Sequence, residues 1–155
     1  MTPAQSQAAD NYFVLINEHS RKCLEIDNGS SSNGARAQQW SCNGQNSSKW
    51  RMVYLNNETT YFHLVNAESG KCLEIADSRT DNGAPAQQWE CGNAQTMGWG
   101  WGHSDQGGMR IVNMNSSKDL EIENSSTSNG ARAQLWGSWG SSGETAIWGW
   151  ASTDG

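Results

Sequence analysis

Apolar positions along the chain come in short runs of four to six residues, alternating with polar ones or rich in β-branched side chains, and Asn-Gly, Asp-Asn-Gly and Ser-rich stretches interrupt them. No segment sustains the period of an amphipathic helix. The pattern predicts short strands at 12–16, 23–26, 37–40 and 49–54, then at 61–65, 72–75, 86–89 and 98–102, and again at 109–112, 119–122, 133–136 and 147–151.

The grouping in fours is an internal repeat. YFVLINEHSRKCLEIDNGSSSNGARAQQW from Tyr12 returns as YFHLVNAESGKCLEIADSRTDNGAPAQQW from Tyr61, and as MRIVNMNSSKDLEIENSSTSNGARAQLW from Met109. Residues line up in threes: Asn17, Asn66, Asn113; Lys22, Lys71, Lys118; Leu24, Leu73, Leu120; Glu25, Glu74, Glu121; Gln38, Gln87, Gln134; Trp40, Trp89, Trp136; Trp50, Trp99, Trp148. The copies span about 12–58, 61–107 and 109–151 in a single domain over 11–155, and residues 1–10, polar and Ala-rich, are expected to be a flexible N-terminus left after a secretion signal. Three copies of four short strands suit a closed all-β barrel capped by hairpins. A propeller normally needs at least four blades, and three such copies cannot easily make a solenoid with protected ends.

Repetition also points to the core. Trp50, Trp99 and Trp148 close the copies, and Met52, Trp101 and Trp150 follow two residues later on the same strand face, so all six are expected inside the barrel. The composition supports this assignment: Leu, Ile, Val and Phe are few, but nine Trp, each able to bury roughly 150–250 Å², replace the missing aliphatic surface. A formal charge of −6 and a pI near 4.9 argue against a nucleic-acid surface, which requires clustered Lys and Arg. The longest unbroken apolar run, Phe13 to Ile16, is far short of a membrane span. The chain reads as soluble, with no membrane insertion.

Cys23 and Cys42 are separated by 19 residues, as are Cys72 and Cys91, with no Cys-x-x-Cys for zinc or redox chemistry. The repeated spacing predicts two local disulfides, against the alternative of four buried thiols, and such bridges persist outside the cytosol. The protein is therefore expected to be extracellular. The third copy carries Asp119 and Ser138 in place of cysteines.

Glu25, Glu74 and Glu121 alternate with Leu and Ile and must point away from the core; an acid so placed is commonly just solvated. Here, however, each recurs with a Gln thirteen and a Trp fifteen residues later. With Cys23 bonded to Cys42, Glu25 and Trp40 fall on adjoining strands near the bridge. A sugar ring stacks its C–H face on an aromatic, and a carboxylate accepts charge-assisted hydrogen bonds from its hydroxyls. The candidate carbohydrate-binding residues are thus Glu25, Gln38 and Trp40; Glu74, Gln87 and Trp89; and Glu121, Gln134 and Trp136, with Lys22, Lys71 and Lys118 as candidate supplements beside each Glu.

The order of apolar strand, Lys-Cys-Leu-acid, Asn-Gly, Gln-x-Trp, Cys and closing Trp, three times over residues 12–151, resembles the ricin-B-type β-trefoil lectins and the related family-thirteen carbohydrate-binding modules. The resemblance implies a β-trefoil with pseudo-three-fold symmetry, the same disulfide placement and one sugar pocket per copy. It also implies that the acid, the Gln-x-aromatic and a following Asn-Gln pair hold galactose. Glu replaces the family's Asp in all copies, and the Asn-Gln has become Ser47-Ser48, Thr96-Met97 and Thr145-Ala146, so the expected ligands are exposed glycans or polysaccharide, galactosides or a β-glucan.

The reading is a monomeric, multivalent lectin with no cofactor, metal or catalysis. A glycoside hydrolase needs two carboxyl groups across one bond, whereas one recurs per copy: Asp27 and Glu123 are matched by Ala76 in the second. His19, His63 and His103 do not recur, so no nucleophile or metal set is suggested. A non-sugar β-trefoil, such as a protease inhibitor or protein ligand, would share the fold without needing the repeated Glu and Trp.

Overall fold

Each copy contributes its first and fourth strands to a barrel wall and folds its second and third into a hairpin that caps one end. The computed structural model describes residues 11–56, 58–105, 107–137 and 143–153; the expected N-terminus over 1–10 and Ser138 lie outside them. The first copy comprises β1 (Phe13–Asn17), β2 (Cys23–Ile26), β3 (Ala37–Trp40) and β4 (Trp50–Tyr54). The second comprises β5 (Phe62–Asn66), β6 (Cys72–Ile75), β7 (Ala86–Trp89) and β8 (Trp99–Gly102), and the third β9 (Arg110–Asn113), β10 (Asp119–Ile122), β11 (Ala133–Trp136) and β12 (Trp148–Ser152).

Antiparallel pairing runs β12–β1, β1–β4, β4–β5, β5–β8 and β8–β9. The ring closes between the third copy's ends, where Met109 and Trp148 exchange two backbone hydrogen bonds of 2.8 Å. The cap hairpins β2–β3, β6–β7 and β10–β11 share one register, with Glu25 opposite Gln38, Glu74 opposite Gln87 and Glu121 opposite Gln134. Bridges between Arg36 and Gln87, Pro85 and Gln134, and Arg132 and Gln38 join the hairpins around the pseudo-three-fold axis. This arrangement is a β-trefoil.

All twelve strands lie where the sequence pattern puts them, but β1, β4, β5, β8, β9 and β12 begin one residue later than expected. Four of them also end later, and for three the reason is a polar residue inside the ladder. Asn17, Asn66 and Asn113 end β1, β5 and β9 fully buried, and each Nδ2 donates to a carbonyl of a different copy: Thr145 at 2.9 Å, Ser47 at 2.9 Å and Thr96 at 3.1 Å. Buried amides satisfied in this way do not carry the cost of unpaired polar groups, and they tie consecutive copies together.

Trp50, Trp99 and Trp148 are buried in the core as expected, packed with Leu24, Leu73, Leu120 and their neighbours. Each indole Nε1 donates to the carbonyl of Leu24, Leu73 or Leu120, at 3.0, 2.9 and 3.0 Å. At about 25 cal/mol per Å², burying one such ring stabilises the fold by roughly 4–6 kcal/mol as an upper bound. Met52, Trp101 and Trp150 depart from the expectation: the first two are half-buried and Trp150 is 61% exposed. Exposure grows along β4, β8 and β12 as these strands run out at the uncapped end of the barrel. There the three side chains, with Phe13 and Met109, line an apolar cavity of about 250 Å³, and Trp150 packs edge-on against Phe13 at 6.1 Å.

Both local disulfides are present, Cys23–Cys42 and Cys72–Cys91. In the third copy Asp119, at the place of Cys23 and Cys72, forms a buried ion pair with the neighbouring strand β9: Arg110 Nη1 donates to Asp119 Oδ1 at 2.9 Å, and Arg110 Nε donates to the His103 carbonyl at 2.8 Å. Burial pushes the Asp119 carboxyl up, and Arg110 pulls it back.

Candidate functional site

The Glu side chains are the first correction to a simple alternation rule. They do face away from Leu24, Leu73 and Leu120, yet Glu25, Glu74 and Glu121 are all more than nine-tenths buried rather than solvated. A short 3₁₀ turn before the closing strand of each copy (Asn46–Ser48, Gln95–Met97, Gly143–Ala146) folds back over them, held down by the buried Asn described above.

Each carboxylate is met by the same two donors. Gln38 Nε2 donates to Glu25 Oε2 at 2.8 Å, Gln87 Nε2 to Glu74 Oε1 at 2.9 Å, and Gln134 Nε2 to Glu121 Oε2 at 2.8 Å. From the covering turn, Ser47 Oγ donates to Glu25 at 3.3 Å, Thr96 Oγ1 to Glu74 at 3.3 Å, and Thr145 Oγ1 to Glu121 at 3.0 Å. The hydroxyls stand where the family's loop amide was expected and take over its place beside the acid. A recurring hydroxyl at one repeat position was the available signal for them. Burial pushes the Glu121 carboxyl up, and the bonds from Gln134 and Thr145 partly offset it.

Trp40, Trp89 and Trp136 end β3, β7 and β11 at 39%, 43% and 41% exposure, opposite Cys23, Cys72 and Asp119. They are surface platforms rather than core, each two residues beyond its Gln. In the first copy Glu25, Gln38 and Trp40 line one cleft of about 420 Å³ together with Asp27, Gln45, Ser47 and Glu68. Gln45 is a further residue that sequence reasoning missed. Its Nε2 donates to Glu25 Oε1 at 3.1 Å, and Ala94 and Gly143 stand at its place in the other copies.

Each platform also leans on another copy. Asn33 Oδ1 accepts from the Glu90 N–H at 2.8 Å, Asn82 Oδ1 from Gly137 at 2.8 Å, and Asn129 Oδ1 from Ser41 at 2.9 Å. The Asn-Gly pairs are therefore staples between copies as well as turns. Gly34, at φ +91°, shows why glycine follows: its backbone takes a positive φ that other side chains rarely adopt.

Lys22, Lys71 and Lys118 are half-buried, and Lys22 is not among the residues lining the first cleft. Each backbone carbonyl accepts from the Asn that ends the preceding strand, at 2.9, 2.8 and 2.9 Å, a bond any residue there would make, and nothing in the structure explains the recurrence of Lys. Among the described residues, one group of potential metal ligands comes together, His63 with Cys72 and Cys91, and both sulfurs are tied up in the disulfide. No helix among the described residues is long and apolar enough to cross a membrane.

A closed trefoil barrel carrying a buried acid, an amide and an aromatic platform in each copy defines a lectin-like class. The chain belongs to the family of ricin-type beta-trefoil lectin domain-like proteins, whose model matches residues 4–61 and 50–136. Among solved structures it is similar to a designed three-fold symmetric protein, ThreeFoil, at 33% identity and a TM-score of 0.84, covering 90% of this chain and 97% of that one. It is also similar to an exo-beta-1,3-galactanase from Clostridium thermocellum at 26% identity and a TM-score of 0.85, covering 92% of this chain but 30% of the galactanase. The Rhizoctonia solani agglutinin shares the fold at 16% identity and a TM-score of 0.81, with 92% and 95% covered. No curated protein matches the chain in sequence.

Proposed function

We propose that this protein binds exposed glycans or polysaccharide, outside the cell and without catalysis, through up to three sites built on Glu25, Glu74 and Glu121. The observation that carries the reading is the triple recurrence of a buried, hydrogen-bonded carboxylate beside a half-exposed Trp. The protein donors fix each carboxylate in place, so little ordering is left for sugar binding to complete. A ring stacked on Trp40, Trp89 or Trp136 with two or three hydrogen bonds gives net binding of about −4 to −6 kcal/mol, millimolar to tens of micromolar. Similarity to an agglutinin and to part of a galactanase supports a carbohydrate ligand.

Absence of catalysis is favoured by the lack of a recurring second carboxylate, since Ala76 stands where the other copies have Asp27 and Glu123. In the first cleft, the one where Asp27 joins Glu25, Asp27 is paired with Arg132 and Glu25 accepts from Gln38, Gln45 and Ser47. Because Glu reaches further than Asp and short hydroxyls replace the loop amides, a β-glucan or other polysaccharide is expected to compete at least as well as galactose. A glycan and polysaccharide array tests the reading, with the triple variant Glu25→Gln, Glu74→Gln, Glu121→Gln as control. Binding lost in that variant supports it, binding retained refutes the sites, and no binding by the native protein refutes the function.

A further inference from the structure

The three sites differ in one contact that comes from outside each copy, an arginine on the amide oxygen of the site's Gln. In the first site Arg132, from the third copy, donates from Nη1 to Gln38 Oε1 at 3.1 Å and to Asp27 Oδ2 at 3.2 Å. A guanidinium can only donate. It therefore holds the amide oxygen of Gln38 while the NH₂ donates to Glu25 at 2.8 Å, so both ends of this amide are engaged; Gln87 and Gln134 donate to their own Glu in the same sense, at 2.9 and 2.8 Å, without an arginine on the oxygen. Arg132 is itself anchored, since its backbone N–H donates to Glu123 Oε2 at 3.1 Å. Gln38 is correspondingly buried, whereas Gln87 and Gln134 are half-buried.

The equivalent positions break the relay in two different ways. At the second site the neighbouring copy supplies Arg36, but Ala76 replaces the acid that would hold it, and Arg36 Nε donates to the Ala86 carbonyl at 3.3 Å. At the third site the acid is present as Glu123, but the neighbouring copy supplies Pro85, which has no side-chain donor. Acid and arginine must both be present, and only the first site has both.

We infer that Arg132 is a positioning residue for the first site, acting through Gln38 on Glu25, and that it makes this the tightest-binding of the three. The inference rests on the sugar reading above and names which site leads and why. A site whose hydrogen-bonding groups are already locked spends less of its binding energy on ordering them. It also means that a copy is not an independent module: the first site is completed by a residue about 100 positions away in sequence.

The test uses the full chain with one site left intact at a time, by Glu→Gln at the other two, and lactose and a β-1,3-glucan oligosaccharide as probes in calorimetry. With only the first site intact, Arg132→Pro, which copies the third site, should weaken binding about tenfold. Arg132→Lys, which keeps a side-chain donor and the backbone N–H to Glu123, should recover part of that with a thermal midpoint that hardly moves. With only the second site intact, Arg132→Pro should change nothing; the third site is no control, because proline also removes the N–H that Arg132 donates to Glu123. The reciprocal variants should gain affinity: Pro85→Arg at the third site beside Glu123, and Ala76→Asp at the second beside Arg36. Independently of any sugar, the Gln38 side-chain amide protons should exchange slowly in the native protein and fast in Arg132→Pro. Equal affinities at the three sites, or an Arg132→Pro variant with unchanged first-site binding and unchanged Gln38 exchange, would overturn the inference and leave the lectin reading intact. Failure of the native protein to bind either probe or any arrayed glycan would overturn both.

Discussion

Asn33 and Glu90 are 57 residues apart, yet the Asn33 side-chain oxygen accepts the Glu90 backbone N–H at 2.8 Å, directly after the Trp89 platform. The same bond recurs from Asn82 to Gly137 and from Asn129 to Ser41. Each aromatic surface is thus positioned by a loop of another copy. Asn33→Ala removes the acceptor while leaving the N–H open to water, so the cost in stability should stay below about 1 kcal/mol. Second-site affinity should fall by more than the thermal midpoint suggests. Calorimetry on a variant with only Glu74 intact, alongside thermal unfolding, checks this.

The aromatic triplets should separate cleanly by phenotype. Trp40, Trp89 and Trp136 are about two-fifths exposed, so replacing all three by Ala should abolish sugar binding with little change in unfolding. Trp99 is fully buried and bonded to the Leu73 carbonyl, so Trp99→Ala should destabilise by about 3–5 kcal/mol. Denaturant melts of the two variants decide it. Unfolding by the first set would place those indoles in the core.

The contrast shows what the sequence could reveal and what it could not. Trp50, Trp99 and Trp148 were legible because a repeated aromatic at the end of a strand has few places to go, and the strand positions followed from turns and alternation. Alternation gives the side of a strand, but not what covers that side. Glu25 is buried by the distant turn at Asn46–Ser48, pinned by Asn66 of the next copy, and no local pattern encodes that cover. Trp150 fails for a related reason: it sits on the correct face of β12, but the strand has already run past the barrel's end. Arg132 was invisible because its contacts with Asp27 and Gln38 cross 105 and 94 residues.

Glu121 makes a pH-dependent demand. Burial raises its carboxyl above the ordinary value in the folded state, so the unfolded chain releases that proton more readily and ionisation favours unfolding. Its destabilising effect is present at neutral pH and is relieved as the pH falls through the raised value. Glu121→Gln should therefore be at least as stable as the native protein at pH 7, and the difference should shrink on acidification into the carboxylate range. Urea melts of both proteins across pH 4 to 7 measure it; a gap that widens in acid would contradict the sign.

The third copy has no cysteines, and Asp119, at the place of Cys23 and Cys72, pairs instead with Arg110 on the neighbouring strand β9. Removing Cys23–Cys42 or Cys72–Cys91, each closing a loop with a separation of 19, should cost about 3 kcal/mol apiece on the chain-entropy estimate. Arg110→Ala should cost a similar amount, about 3–5 kcal/mol, because it leaves Asp119 buried without its partner. Replacing Arg110 and Asp119 together by apolar residues should recover most of that. Non-reducing peptide mapping should find 23 linked to 42 and 72 to 91, and a crossed pairing would contradict the repeat.

Valency is where the three-fold arrangement makes its sharpest demand. If all three proposed sites bind, their pseudo-three-fold arrangement faces them outward in different directions, and one molecule would bridge separate chains without oligomerising. On a multivalent surface the later contacts are intramolecular, and avidity can exceed single-site affinity by about 10²–10⁴ with no new contact. Single, double and triple Glu→Gln variants at Glu25, Glu74 and Glu121 should lower the stoichiometry for a monovalent oligosaccharide in steps of one, while retention on an insoluble polysaccharide falls far more steeply. The Glu25 variant should lose the largest share of affinity, since that carboxylate alone has Gln45 and the Arg132-held Gln38 behind it. If one substitution removes all monovalent binding, the molecule has a single working site, and the other two Glu, Gln and Trp sets serve the cap's packing alone.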